Sequence, residues 1–143
     1  MMRLLAGFLG VVAVLGMASG AQAVVDGSEP VICASADVME CVPGGSCQRV
    51  NAVDAGIPRF LRIDFAGQQI TRTRPNGDDV SSEIERSETV DGRLILQGAE
   101  DGFEGVRDGI GWSLSIDEEN GEMVLTGSGD EVAFVIFGAC TVY

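Results

Sequence analysis

Hydrophobic and polar residues alternate with a period of two through most of the chain, as they do in strands with one face buried. The clearest case follows Pro58, in Arg59-Phe60-Leu61-Arg62-Ile63-Asp64-Phe65, where Leu61, Ile63 and Phe65 alternate with Arg62 and Asp64. Ala66-Gly67 then turns the chain into Gln68 to Arg74, a second strand, and Pro75-Asn76-Gly77-Asp78 supplies the next turn. Val80 to Val90 is polar and weakly patterned, which suits a strand at an edge. Asp91-Gly92 leads into a stronger strand, Arg93 to Gln97. Trp112-Ser113-Leu114-Ser115-Ile116 alternates cleanly, and Glu122 to Thr126 returns beside it after Asn120-Gly121, a type I′ turn signal. The run Glu131 to Cys140 is apolar on both faces and reads as a central or closing strand. Upstream, Val31 to Cys41 carries a β-branched run whose second half is equally compatible with a helical turn, and Gln48 to Ile57 reads as a loop.

About eight strands at roughly ten-residue spacing, joined by Gly-containing turns, predict a mostly β fold built as an antiparallel meander. A small closed barrel is favoured over a sandwich. It makes the first and last strands neighbours and removes the unpaired edges that invite aggregation. The pattern breaks from Gly98 to Gly111, a stretch long for a hairpin connection.

The start of the chain follows a different plan. A charged beginning ending at Arg3, an apolar run from Leu4 to about Met17 and small residues ending Ala21-Gln22-Ala23 form a secretory signal peptide, with cleavage expected after Ala23. The run is shorter than the roughly 20 residues of a spanning helix, and Val24 stands where a lipoprotein would need Cys. Residues 1–23 are thus expected to be a signal helix, and residues 24–143 a single domain in the periplasm or outside the cell. Four Cys in an exported domain of this size read as two disulfides. Three pairings are possible. Cys41 with Cys47, across the turn-rich Val42-Pro43-Gly44-Gly45-Ser46, and Cys33 with Cys140, in the first and last strands, are preferred.

Charge narrows the partners. After the leader the chain carries eight Arg against 22 Asp plus Glu, a net charge of −14. Such a surface repels nucleic-acid phosphates, offers no polybasic membrane contact, and favours cationic, neutral or metal-ion partners. The chain has no His, and every basic residue is Arg. Histidine-based triads, zinc-histidine sites and Schiff-base chemistry are therefore excluded.

Among candidate sites, Glu100, Asp101, Glu104 and Asp108 lie in the glycine-rich stretch after the Arg93 strand, where carboxylates could wrap a hard cation such as calcium. No other cofactor is implied. The Asp117 to Glu122 cluster fails the EF-hand spacing and reads as a hairpin turn. Phe103, an aromatic in a polar loop, and Trp112, the only Trp, are the candidate ligand contacts, although both also suit packing against the barrel mouth or core. Arg59, Arg62, Arg72 and Arg74 fall on one hairpin and are expected to pair with cross-strand carboxylates rather than form an anion patch. No spacing singles out a pair of catalytic carboxylates, and Gly44-Gly45-Ser46 lacks the setting of a phosphate loop.

The linked pattern Cys41-Val42-Pro43-Gly44-Gly45-Ser46-Cys47, Pro58 to Asp64, Leu94 to Gly98, Gly111-Trp112-Ser113-Leu114 and Phe137-Gly138-Ala139-Cys140 resembles small exported proteins of Gram-negative bacteria without assigned function. The resemblance implies a periplasmic address and carries no site. The expected function is a non-enzymatic binding or envelope-accessory role for an unknown small ligand or envelope protein. The alternatives are an inhibitor-like module acting on a protein partner and a carboxylate-based hydrolase.

Overall fold

The structure, a computed structural model, describes residues 24–74, 76–101, 105 and 109–143. The expected signal helix, residues 1–23, lies outside the described residues. The rest is antiparallel sheet without a helix among the described residues: β1 (Val31–Cys41), β2 (Gln48–Val50), β3 (Phe60–Asp64), β4 (Gln69–Thr73), β5 (Asp79–Glu83), β6 (Arg86–Val90), β7 (Arg93–Glu100), β8 (Ile110–Asp117), β9 (Glu122–Gly129) and β10 (Val132–Val142). They form one sheet in the order β5-β4-β3-β1-β10-β9-β8-β7-β6, with β2 paired to β1 on the side. The sheet curls into a barrel-like shape, as the meander pattern predicts.

The curl brings the two ends of the sheet together. The end strands β5 and β6 are consecutive, and the Ile84-Glu85 link between them is tied both ways: Ile84 N–H donates to Gln68 O at 2.8 Å and Glu85 N–H to Gln97 O at 2.9 Å. Ile84, buried, anchors that link in the core. The polar segment read as one edge strand is thus two short strands hinged at Ile84, its one fully buried residue.

Cross-strand register stacks the interior in rows. Leu96, Leu114, Leu125, Ile136 and Val38 lie directly opposite one another across β7, β8, β9, β10 and β1. The neighbouring row holds Leu94, Ile116 and Met123. Leu96, Leu114, Ile116, Met123, Ile63 and Val31 are fully buried, each side chain contributing about 1.5–3 kcal/mol by removal from water. Val25 closes this end: its side chain is 1% exposed, and its N–H donates to Glu118 O at 3.0 Å.

Other differences from the sequence reading have local causes. β1 is a strand throughout, with a register shift between Ser35 and Asp37 that accommodates its curvature. The start of the expected Gln48 to Ile57 loop adds a short strand, β2, against β1. The type I′ turn falls not at Asn120-Gly121 but at Asp91-Gly92, where both residues take positive φ, 49° and 73°. At the β8–β9 connection the Asp117 carboxylate accepts the N–H groups of Glu119 and Asn120, widening the turn, and only Gly121 takes positive φ.

Of the three possible disulfide pairings, the structure holds Cys33–Cys140 and Cys41–Cys47. Cys33 and Cys140 face each other directly across β1 and β10 and join residues 107 apart in sequence. The second pair spans six residues. Chain entropy assigns about 4–5 kcal/mol to the long link and about 2 kcal/mol to the short one. Denaturant titration of the two Cys→Ala double variants is expected to show that order, with removal of Cys33–Cys140 the more damaging.

On the outer face of the β3–β4–β5 arm, Asp79 accepts from the Thr73 hydroxyl and the Arg62 guanidinium, each at 2.6 Å. The Thr73 bond first, and Arg62 second, hold the Asp79 carboxyl below its ordinary value of 3.8. A carboxyl lowered on folding adds stability above its unfolded pKa and loses it as pH falls through the folded one. The Thr73→Val variant is expected to raise the Asp79 pKa toward 3.8, followed by its side-chain NMR shift across an acid titration.

Candidate functional site

The end of the sheet opposite Val25 is not filled. An apolar hollow of about 220 Å³ opens there, walled by Leu61, Ile70, Val80, Ile110, Leu125, Phe134 and Ile136, with the Ala55–Pro58 turn along one side. Sequence alternation explains who lines it. Ile70 and Arg72 share the inward face of β4, Val80 and Ser82 that of β5, and Gly98 and Glu100 continue the inward set begun by Leu94 and Leu96 on β7.

One row sets the shape of the hollow. Gly98, Trp112, Gly127 and Phe134 lie directly opposite one another on β7, β8, β9 and β10, so each aromatic ring has a glycine on the next strand. Gly98 is required: a Cβ there would collide with the Trp112 ring and the Glu83 carbonyl. Gly127 differs, since a Cβ on it meets only Ile110 Cγ2, at the ordinary contact distance of 3.5 Å. The space beside Trp112 and Phe134 therefore exists because Gly127 leaves it empty.

Polar groups occupy the side of the hollow where β5 and β7 approach. Trp112 Nε1–H donates to Ser82 Oγ at 3.2 Å, and Ser82 Oγ–H donates to the Ala99 carbonyl at 3.3 Å. Arg72 Nη1 donates to both oxygens of Glu100. This pair is the most sheltered in the described residues, with 30% and 20% of the two side chains exposed. It borders both the apolar hollow and a more open, polar-lined one that also includes Arg74, Glu83 and Asp101.

The sequence candidates separate accordingly. Trp112 lies in the wall of the hollow. Glu100 belongs to β7 rather than to a loop, faces inward and is held by Arg72, while Asp101 is exposed just beyond the strand. Phe103, Glu104 and Asp108 lie outside the described residues. Among the described residues no three Cys, Asp or Glu side chains come close enough to share a metal ion. The four arginines do not make one patch: Arg62 pairs with Asp79 on the outside, and Arg72 turns inward. Ser82, Leu125, Gly127 and Phe134 were not singled out by sequence reasoning, and Arg72 was singled out only as one of the four hairpin arginines expected to pair with carboxylates. Extending the period-two pattern of β7 through Gly98 to Glu100, and that of β4 to Arg72, is the signal that places the ion pair inside.

No known family's sequence profile matches this chain, and no curated protein is recognisably similar to it.

Trp112 reports on the site as the sole Trp of the chain. Gly98→Ala is expected to push the indole off Ser82, shift its fluorescence to longer wavelength, and cost about 1–3 kcal/mol from overpacking. Emission spectra and denaturant titration measure both.

Proposed function

We propose that this protein is a non-enzymatic binding protein of the periplasm or cell exterior that takes a small apolar molecule into the hollow beside Trp112. The observation that carries the reading is the apolar lining of that hollow. Whereas the hollow at the Val25 end, beside Asp26, Ser87, Glu88 and Thr89, is lined mostly by polar groups, this one keeps about 220 Å³ open behind apolar walls and a few fixed polar groups. That is the composition of a small-ligand site: apolar lining for affinity, sparse hydrogen-bonding groups for orientation. A dry apolar cavity of about 150 Å³ accepts benzene, so this one suits a somewhat larger molecule, such as an eight-carbon chain.

The remaining features support the same reading. Two disulfides fit an oxidising compartment, in keeping with a leader cleaved after Ala23 and an exported protein like those the sequence resembles. We read the curled sheet as a small closed barrel whose ends meet at Ile84-Glu85 and whose seam runs between β5 and β7. The Arg72–Glu100 bond and the Ser82 bonds to Trp112 and Ala99 hold this seam in place of a backbone ladder.

Titration with 1-octanol, followed by Trp112 fluorescence and calorimetry, is expected to give saturable one-site binding. Gly127→Leu, which fills the space beside Phe134, is expected to weaken it at least tenfold while the unfolding midpoint stays near that of the parent. Absence of saturable binding to the parent protein would overturn the reading.

A further inference from the structure

We infer that the ligand is a hydrophobic monocation, its apolar part in the hollow beside Trp112 and its ammonium-type head on the carboxylate of Glu100. The inference rests on the binding reading above and specifies its chemistry.

Three observations point to a cation. Glu100 is reached by one nitrogen of Arg72, which serves both of its oxygens. A carboxylate has about four lone-pair positions, so Glu100 can accept a second cationic donor without releasing the first. Among the described residues, the charged side chains around the partition are Arg72 and Arg74 against Glu83, Glu100 and Asp101, an excess of one negative charge. An added monocation balances that excess, whereas an added anion doubles it in a half-buried place. Finally, the indole of Trp112 lies in the wall two residues along β8 from Ile110, the cross-strand partner of Glu100. This puts an aromatic surface near the carboxylate, the pairing that favours organic cations. The net charge of −13 over the whole chain works in the same direction by drawing cations toward the surface.

Arg72 then has a positioning role. Its bond holds the Glu100 carboxylate at the boundary between the apolar and polar hollows, which keeps it from turning out to water and leaves it available to a head group arriving from inside. The chemical class is an alkyl or aromatic amine, or a quaternary ammonium compound, of about eight to ten heavy atoms, a size consistent with the cavity scale set by benzene.

Three ligands with one tail and different heads separate the possibilities: n-octylammonium, 1-octanol and octanoate, titrated at pH 7 and low salt with Trp112 fluorescence and calorimetry as readouts. Octylammonium is expected to bind about tenfold more tightly than octanol, and octanoate more weakly than either. Raising the salt should narrow the octylammonium-to-octanol ratio, and in Glu100→Gln it should fall to one or below. Octanol binding with no advantage for octylammonium, an advantage for octanoate, or a ratio unchanged in Glu100→Gln would each overturn the cation inference and leave the apolar site standing. Failure of all three ligands to bind would overturn both.

Discussion

The ladder between β1 and β10 is the connection on which the rest of the sheet depends. Its register runs from Val31 opposite Val142 to Cys41 opposite Ala133, joining the beginning and end of the described domain. One arm, β3-β4-β5, extends from β1, and the other, β9-β8-β7-β6, extends from β10. Within each arm every strand pairs with the strand next to it in sequence, so hairpin formation can build both arms locally, and β3 joins β1 across the intervening β2 segment. Only the β1–β10 ladder must close across nearly the whole domain, the step with the largest loop-closure cost. Placing Cys33 opposite Cys140 in that ladder constrains the unfolded chain where the constraint is worth most.

With the ladder fixed, the two arms must meet again at their far ends, and there the chemistry changes. Ile84-Glu85 provides two backbone bonds, one to each arm. Beyond it β5 and β7 approach without a ladder, and side chains make the connection: Ser82 to Ala99 and Trp112, and Arg72 to Glu100. A ladder would hold the strands at fixed spacing. Side-chain bonds do not fix that spacing, and at this approach the ring of Trp112 packs against Gly98. Gly98 on β7 is the matching concession, because even a methyl group there would strike that ring.

Much of this was legible in the sequence. The alternation of Leu61 with Ile63, and of Trp112 with Leu114 and Ile116, identifies strands and their inward faces because a one-residue slip would expose every apolar side chain. The split of Val80 to Val90 was not legible. Ser, Glu, Arg and Thr side chains say little about where a polar strand changes partners, and the lone buried Ile84 becomes meaningful only once both neighbours are known. The turn chemistry misled for a similar reason. Asn-Gly and Asp-Gly carry the same conformational preference, and the Asp117 carboxylate, by accepting two backbone N–H groups, decides that Asn120-Gly121 adopts the wider loop. Of the site, Trp112 and Glu100 could be singled out as residue types, but their meeting could not. Arg72 and Glu100 are 28 positions apart and belong to opposite ends of the sheet path.

The position of that ion pair bears on why the hollow persists. A sheltered Arg–Glu pair loses much of its Coulombic gain to desolvation, and well-packed apolar residues of similar volume often serve stability as well or better. Val80 and Ile110 already supply apolar neighbours, so larger aliphatic side chains at positions 72, 100 and 127 would extend the filled rows of Leu96 and Leu94 to this end of the sheet. The chain instead places two charges and a glycine there, beside an indole whose N–H needs Ser82 as acceptor. Each choice forgoes packing of the kind that Leu96, Leu114, Ile116 and Met123 make in the buried rows. Departures from good packing that converge on one volume, with donors and acceptors held at its rim, are what a site requires and what a purely structural core would fill.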